Sequence, residues 1–163
     1  MNKQALKYTL LPIVLLSLMG WLIYSNTLNV PFYFDDICNI IESVSIRLQT
    51  ISWTELHKAG FNSLLSNRPI AYISFAVNYY FGYYDVTGYH VLNILIHILN
   101  GSLLYLFLVA TLNLSTVVFD TQKIYLIAIL GALTWLVHPL HTQSVTYIVQ
   151  RMNSMAALFY LLS

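Results

Sequence analysis

The stretch Tyr33-Phe34-Asp35-Asp36-Ile37-Cys38 sets two carboxylates side by side in a chain where only 8% of residues are charged. Adjacent carboxylates raise one another's proton affinity, because like charges disfavour double ionisation. One of the pair then moves toward the range in which a base can take a proton from a hydroxyl. Two other readings stand beside that one: a helix cap or solvated loop, and ligation of a divalent metal. A second cluster lies far along the chain, in the run "HPLHTQSVTYIVQR", where His138 and His141 flank Pro139 and Leu140 and Arg151 closes the run. Two histidines three apart can share a metal, but they are half a site, and Asp35 and Asp36 would have to complete it. Together with Arg68 and Arg151, whose guanidinium forks match phosphate oxygens, the histidines better suit an anionic leaving group such as a lipid phosphate. Interfacial anchoring is the bland reading of both arginines. A third set, His90, Asn93, His97 and Asn100, recurs at helical spacing and so lies on one stripe of a helix. In an apolar setting such a stripe faces other helices or a cavity, as interhelical hydrogen bonding or as the wall of a substrate groove.

These groups have to be placed by an apolar scaffold. The 163 residues are 58% hydrophobic, and their charge falls far below the roughly 25% of an ordinary soluble domain, which marks a membrane protein. Seven Lys and Arg against six Asp and Glu leave no basic field to hold nucleic acid. Cys38 is alone, which excludes a disulfide framework and a multi-cysteine zinc site and favours a small buried hydrophobe.

The N-terminus has the positive-then-apolar order of a signal peptide but no small-residue cleavage site, so it reads as an uncleaved anchor. It is uncharged from Tyr8 to Tyr24, and Lys3 and Lys7 ahead of it put the N-terminus in the cytoplasm and the acidic pair on the far side. The fold expected is all-α and polytopic, with about four spans over roughly 8–27, 89–112, 123–138 and 152–163 onward, the last incomplete. An exported loop over about 28–88 bears short interfacial helices. One is expected around "WTELHKAGF", capped by Ser52 or Thr54, and another over "PIAYISFAVNYYFGYY", where Ile70, Ile73, Val77 and Phe81 share a face. A turn, "NLSTVVFDTQK", leads from the second span to the third. With this span count, Asp35, Asp36, Arg68, His138, His141 and Arg151 all fall at the exported surface. All six acids lie outside the expected spans, which argues against a transporter coupled to protons or cations.

Taken in order, "YFDD", "NRPIAYISFAVNYYFG", "GYHVLNILIHILNG", "HPLHTQSVTYIVQR" and "LFYLLS" resemble the membrane half of the protein O-mannosyltransferase-like proteins that carry tetratricopeptide repeats, the bacterial branch in particular. These are related to GT-C glycosyltransferases. The resemblance implies an inverting enzyme that moves a sugar, mannose among the candidates, from a polyprenyl phosphate to a hydroxyl acceptor such as protein Ser or Thr. It implies that the first acid of the pair, Asp35, is the catalytic base, with Asp36 its neighbour, and that the second exported loop helps to form the site. Arg68, His138, His141 and Arg151 would then meet the donor phosphate, and His90, Asn93 and His97 would line the groove. The partners expected are the lipid-linked sugar, an acceptor protein or glycan, and membrane lipid, with no nucleic acid; a divalent metal stays open, and the lipid-linked donor is otherwise the one cofactor expected. The setting implied is a bacterial inner membrane with its active face to the periplasm, or the endoplasmic reticulum in a eukaryote. Gln143 and Asn153 stand where animal members commonly carry acids. The GT-C core has more spans than this chain, so an N-terminal piece lacking the later spans and the repeats is expected. A non-catalytic membrane scaffold of the same fold is the rival reading.

Overall fold

The computed structural model describes residues 3–115 and 120–163, and side-chain surroundings from Lys7 onward. Every regular element among them is helical. In chain order the α-helices are α1 (Lys3–Tyr24), α2 (Trp53–Phe61), α3 (Pro69–Gly82), α4 (Val86–Leu114), α5 (Thr121–Leu136), α6 (Thr142–Thr146) and α7 (Arg151–Leu162), with short 3₁₀ or π turns between several of them. Of the turn expected over 113–123, residues 116–119 lie outside the described residues.

Two segments, Lys7–Thr27 and Val86–Leu114, are long and apolar enough to cross a membrane. A third span is made if α5 and the Pro139–Thr146 segment, bent by 49° at the break between them, are taken as one. Two of the four expected spans are thus matched by helices of sufficient length, or three with the bent pair; α7, at the place of the incomplete fourth, has 12 residues. The 14-residue α3 is shorter than the roughly 20 residues a span needs.

Helix starts follow local chemistry. Ser52 caps α2, its hydroxyl accepting from the Glu55 amide at 3.3 Å, which satisfies one of the amides a helix leaves free at its start. Asp85 caps α4 in the same way, accepting from the Thr87 amide at 3.0 Å. Pro69 opens α3, where its missing N–H costs nothing.

α1, α4 and α5 pack side by side around Leu16, Tyr105, Ala128, Ala132 and Leu136. Small residues let the backbones approach. A Cβ on Gly20 would stand 2.6 Å from Ile98 Cγ1, and one on Gly101 would stand 2.9 Å from Leu136 Cδ1. The outward faces keep large apolar side chains exposed, Leu11, Leu18 and Leu22 on α1, Leu99 and Phe107 on α4, Leu126 and Leu130 on α5, as lipid contact requires. A second core lies beneath the 28–68 loop, where Ile40, Ile46 and Ala59 meet Tyr72 and Phe75 of α3, Tyr89 of α4, and Ile148, Val149 and Met152.

On α3, Ile70 and Phe81 of the expected apolar face are exposed, and Ala71, Tyr72, Phe75 and Ala76 are the buried side chains. Ser74 and Asn78 also turn inward, because a buried arginine described below takes both as acceptors.

Candidate functional site

Asp35 sits at a forced bend. Phe34 before it takes a positive φ of 47°, a conformation uncommon for a bulky residue. After it the chain closes a π turn over Ile37–Ile41, with the Glu42 amide donating to the Ile37 carbonyl at 2.9 Å. The backbone of Asp35 is fixed on two sides. Its N–H donates to the Tyr147 hydroxyl at 2.8 Å, and its carbonyl accepts from Asn39 Nδ2 at 2.8 Å. Asn39 is held in turn by the Tyr72 hydroxyl. Tyr33 stacks on Tyr147 with ring centroids 4.6 Å apart. The Asp35 carboxylate is left at the surface, beside the Tyr147 phenol, with which it also interacts through its side chain. Burial, and behind it the charges of Asp35 and Asp36, push that phenol upward, so it stays protonated at neutral pH.

Asp36 has a different environment. It is fully buried, its Oδ1 accepting from the Val149 amide at 2.7 Å and its Oδ2 from the Tyr33 amide at 3.3 Å. Burial pushes its carboxyl up to about 6, against the two amide hydrogen bonds and the distant pull of Arg151, with the Asp35 charge adding to the rise. The pair therefore divides into one exposed and one enclosed carboxylate.

Arg151 is wholly enclosed. Its Nε donates to Asn93 Oδ1 at 2.7 Å, its Nη1 to Asn78 Oδ1 at 2.7 Å and Ser74 Oγ at 3.1 Å, and its Nη2 to the Tyr89 carbonyl at 2.8 Å. The guanidinium lies 4.7 Å from the Phe75 ring centroid, a cation–π arrangement. So placed, Arg151 ties α3, α4 and α7 together and presents no free fork to a phosphate at the surface.

The α4 stripe is also used internally. His90 Nε2 lies 2.9 Å from the Val30 carbonyl, Asn93 Nδ2 donates to Val145 O at 3.1 Å and Ile148 O at 3.3 Å, and Asn100 Nδ2 donates to Ser154 O at 2.9 Å. His97 Nε2 lies 2.9 Å from the Leu136 carbonyl, which the break at Pro139 leaves without its helical partner. Of the two readings of this stripe, interhelical hydrogen bonding accounts for these contacts.

Arg68 is exposed at the rim of an apolar groove of about 210 Å³, walled by Ile70, Ala71, Met152, Met155 and Phe159. Its Nη1 stands 3.5 Å from Met152 Sδ. His138 is exposed too, and its Nδ1 accepts from the Leu140 amide at 3.3 Å, a capping role. His141 is half-buried and lies against Trp135, ring centroids 4.3 Å apart. Among the described residues no group of three or more His, Cys, Asp or Glu is placed to hold a metal ion.

The structure thus brings Asp35, Asp36, Arg151 and Arg68 onto one short stretch, 147–152: Tyr147 meets Asp35, Val149 meets Asp36, and Met152 meets Arg68. It does not place His138 or His141 in hydrogen-bond contact with any of them. Reasoning from sequence missed Tyr147 and Asn39. Asn39 follows Asp35 by one helical turn, which is a usable signal; Tyr147 is one of 13 tyrosines and carries none.

The class defined by this architecture is an all-helical integral membrane protein, with two loops far apart in sequence joined at one surface. The chain is similar to protein O-mannosyl-transferases. It is 34% identical to tmtc2 of Xenopus laevis over an alignment of 158 residues that covers 92% of this chain and 18% of that protein. It is 31% identical to TMTC4 of Mus musculus over 160 residues, 87% of this chain and 21% of that one. Tmtc1 of Drosophila melanogaster is 31% identical over 156 residues, 90% and 17% of the two chains. The chain spans about a fifth of the length of these relatives. They are animal proteins, so they lend the expected bacterial branch no support. No family model matches the chain, and no solved structure does.

Proposed function

We propose that this chain carries the acceptor-activating part of an inverting glycosyltransferase that moves a sugar, mannose first, from a polyprenyl phosphate to a hydroxyl of an exported protein. The observation that carries this reading is Asp35: an exposed carboxylate whose backbone is locked by Tyr147 and Asn39. It supplies the fixed base that positioning a hydroxyl requires. The relatives' name, protein O-mannosyl-transferase, supports the reaction class.

In this reading the Asp35 carboxylate takes the proton of the acceptor hydroxyl, whose oxygen forms a bond to the anomeric carbon from the face opposite the leaving group. The bond from that carbon to the phosphate oxygen breaks, and its electron pair leaves with the polyprenyl phosphate. Arg68 meets the developing charge at the rim while the apolar groove beside it takes the first isoprenoid units. His138, exposed at the same loop, is the second candidate to meet the phosphate. Asp36 acts on Asp35 by position and charge. The activity faces the exported side, the periplasm in a bacterium or the reticulum lumen in a eukaryote.

Asp35→Asn in the intact protein tests it. Sugar transfer should fall by about 10²-fold or more with membrane insertion and thermal midpoint unchanged. Transfer that survives the substitution overturns the base.

The scaffold reading is favoured by one observation. Arg151, Asn93, His97 and Asp36 are all consumed in interior hydrogen bonds, which is what packing alone would ask of them. It requires Asp35→Asn to leave every phenotype intact.

A further inference from the structure

α2 has three faces, where a helix lying between a core and water needs two. Leu56 and Ala59 pack on the core beneath the 28–68 loop, and Gly60 seats the helix so closely on α3 that a Cβ there would stand 3.1 Å from Pro69 Cβ. Glu55 and Lys58 make a polar face, paired at 3.0 Å. The third face is aromatic. Trp53, His57 and Phe61 recur every four residues, which lines them up along one side of the helix, and the His57 ring stacks on Phe61 with centroids 4.7 Å apart. All three are exposed, Trp53 by 81% and Phe61 by 50%.

The stripe continues past the end of α2. Leu64 and Leu65 are exposed as well, and the Leu65 carbonyl accepts from the Arg68 amide at 2.9 Å, which turns the chain into the groove walled by Ile70 and Phe159. Those two are exposed in their turn, as are Tyr160 and Leu162 on α7. One apolar margin thus runs from Trp53 to the outer side of α7. Each large apolar side chain left in water forgoes about 1.5–3 kcal/mol, and a contiguous margin of them calls for a cover.

Place and chemistry together choose the cover. The loop that bears α2 leaves the end of one crossing segment, Lys7–Thr27, and rejoins the start of another, Val86–Leu114, which keeps it at the membrane surface. An indole at one end of the stripe, an imidazole in its middle and a lysine alongside each join an apolar body to a polar tip, and such side chains suit the headgroup boundary. Hydrated headgroups satisfy the His57 ring nitrogens, which an apolar partner does not.

We propose that the face formed by Trp53, His57 and Phe61, with Leu64 and Leu65 beyond it, docks into the exported leaflet of the membrane at the headgroup boundary. The helix lies flat there, its aromatic side sunk by about 5–10 Å and Lys58 in water. Arg68, three residues past Leu65, is thereby held at the depth of the lipid phosphates. The inference does not rest on Asp35 as base: either can fail with the other standing.

The first test makes Trp53 the sole tryptophan, by Trp21→Phe and Trp135→Phe, in the intact chain in phosphatidylcholine nanodiscs. Bromine placed high on the acyl chain should quench Trp53 about twofold or more beyond bromine at the chain end, as a boundary depth requires, and acrylamide should quench it little. The second test keeps every tryptophan and attaches a nitroxide to His57→Cys or Lys58→Cys in a Cys38→Ser background. At position 57 collisions with oxygen should exceed those with a water-soluble nickel chelate, and at position 58 the order should reverse. Trp53 untouched by either bromolipid overturns the proposal, whether acrylamide reaches it or a second copy shields it. So does quenching strongest from the chain end, or equal accessibility at positions 57 and 58.

Discussion

Asp36 accepts from the Val149 amide at 2.7 Å inside the protein, and its carboxyl is lifted there from 3.8 to about 6. The folded chain therefore holds this proton more tightly than the unfolded chain does. That contribution to stability is fully present below pH 3.8 and is lost as the pH rises through about 6. A shift of this size corresponds to about 3 kcal/mol at most. Asp36→Asn keeps an acceptor for Val149 and removes the titration. Thermal midpoints measured from pH 4 to 7 should fall for the parent and stay flat for the variant. Arg151 makes the complementary case. Arg151→Lys puts a point charge where a planar fork met four acceptors, leaving several of Asn93, Asn78, Ser74 and the Tyr89 carbonyl unpaired. A loss above about 3 kcal/mol is expected, read as a lower thermal midpoint in detergent and a loss of helix signal. Asp35→Asn, in contrast, should leave the midpoint unchanged. The sequence showed the acids as a pair and the arginines as two of a kind. It could not show that one member of each is enclosed, because burial is decided by distant partners, 113 residues away for Asp36 and 58 to 77 away for Arg151.

At the scale of elements, the helix over "WTELHKAGF" and its Ser52 cap were legible because capping is local chemistry. The stripe His90, Asn93, His97 and Asn100 was legible as a stripe, since spacing alone puts it on one face of α4. The inward face of α3 was not. In an apolar environment the hydrophobic side of a helix can turn outward, so periodicity finds two faces without saying which is buried. There the Arg151 hub selects Ser74 and Asn78. Close contact between α1 and α4 gives a separate expectation. Gly20→Ile would force its Cβ against Ile98 Cγ1, 2.6 Å away, and should cost about 1–3 kcal/mol. Helix association in detergent, followed by size and thermal midpoint, checks it. Gly101→Ala should be milder, since the atom it meets is the terminal methyl of Leu136.

For the whole molecule, composition marked a membrane protein. Of the four spans expected, the last of them incomplete, the described helices offer two, or three with the bent pair. Hydropathy follows an apolar run without registering that its backbone breaks at Pro139. The conclusion that survives is about sides: Asp36 can meet the Val149 amide only if both loops emerge on one face of the membrane. Cys38 is exposed and alone in the chain, which makes it a natural reporter. A membrane-impermeant maleimide should label Cys38 from the same side that labels Gln143→Cys in a Cys38→Ser background. Labelling from opposite sides would break the shared surface, and with it the proposed site.

The 147–152 stretch also sets an order in time. Asp36 has no amide from Val149 to accept, and Asp35 no phenol to lean on, until residues more than 110 positions later have been synthesised and inserted. Until then the acid-bearing loop lacks both partners, and the placing of its two carboxylates waits on the 147–152 stretch that follows.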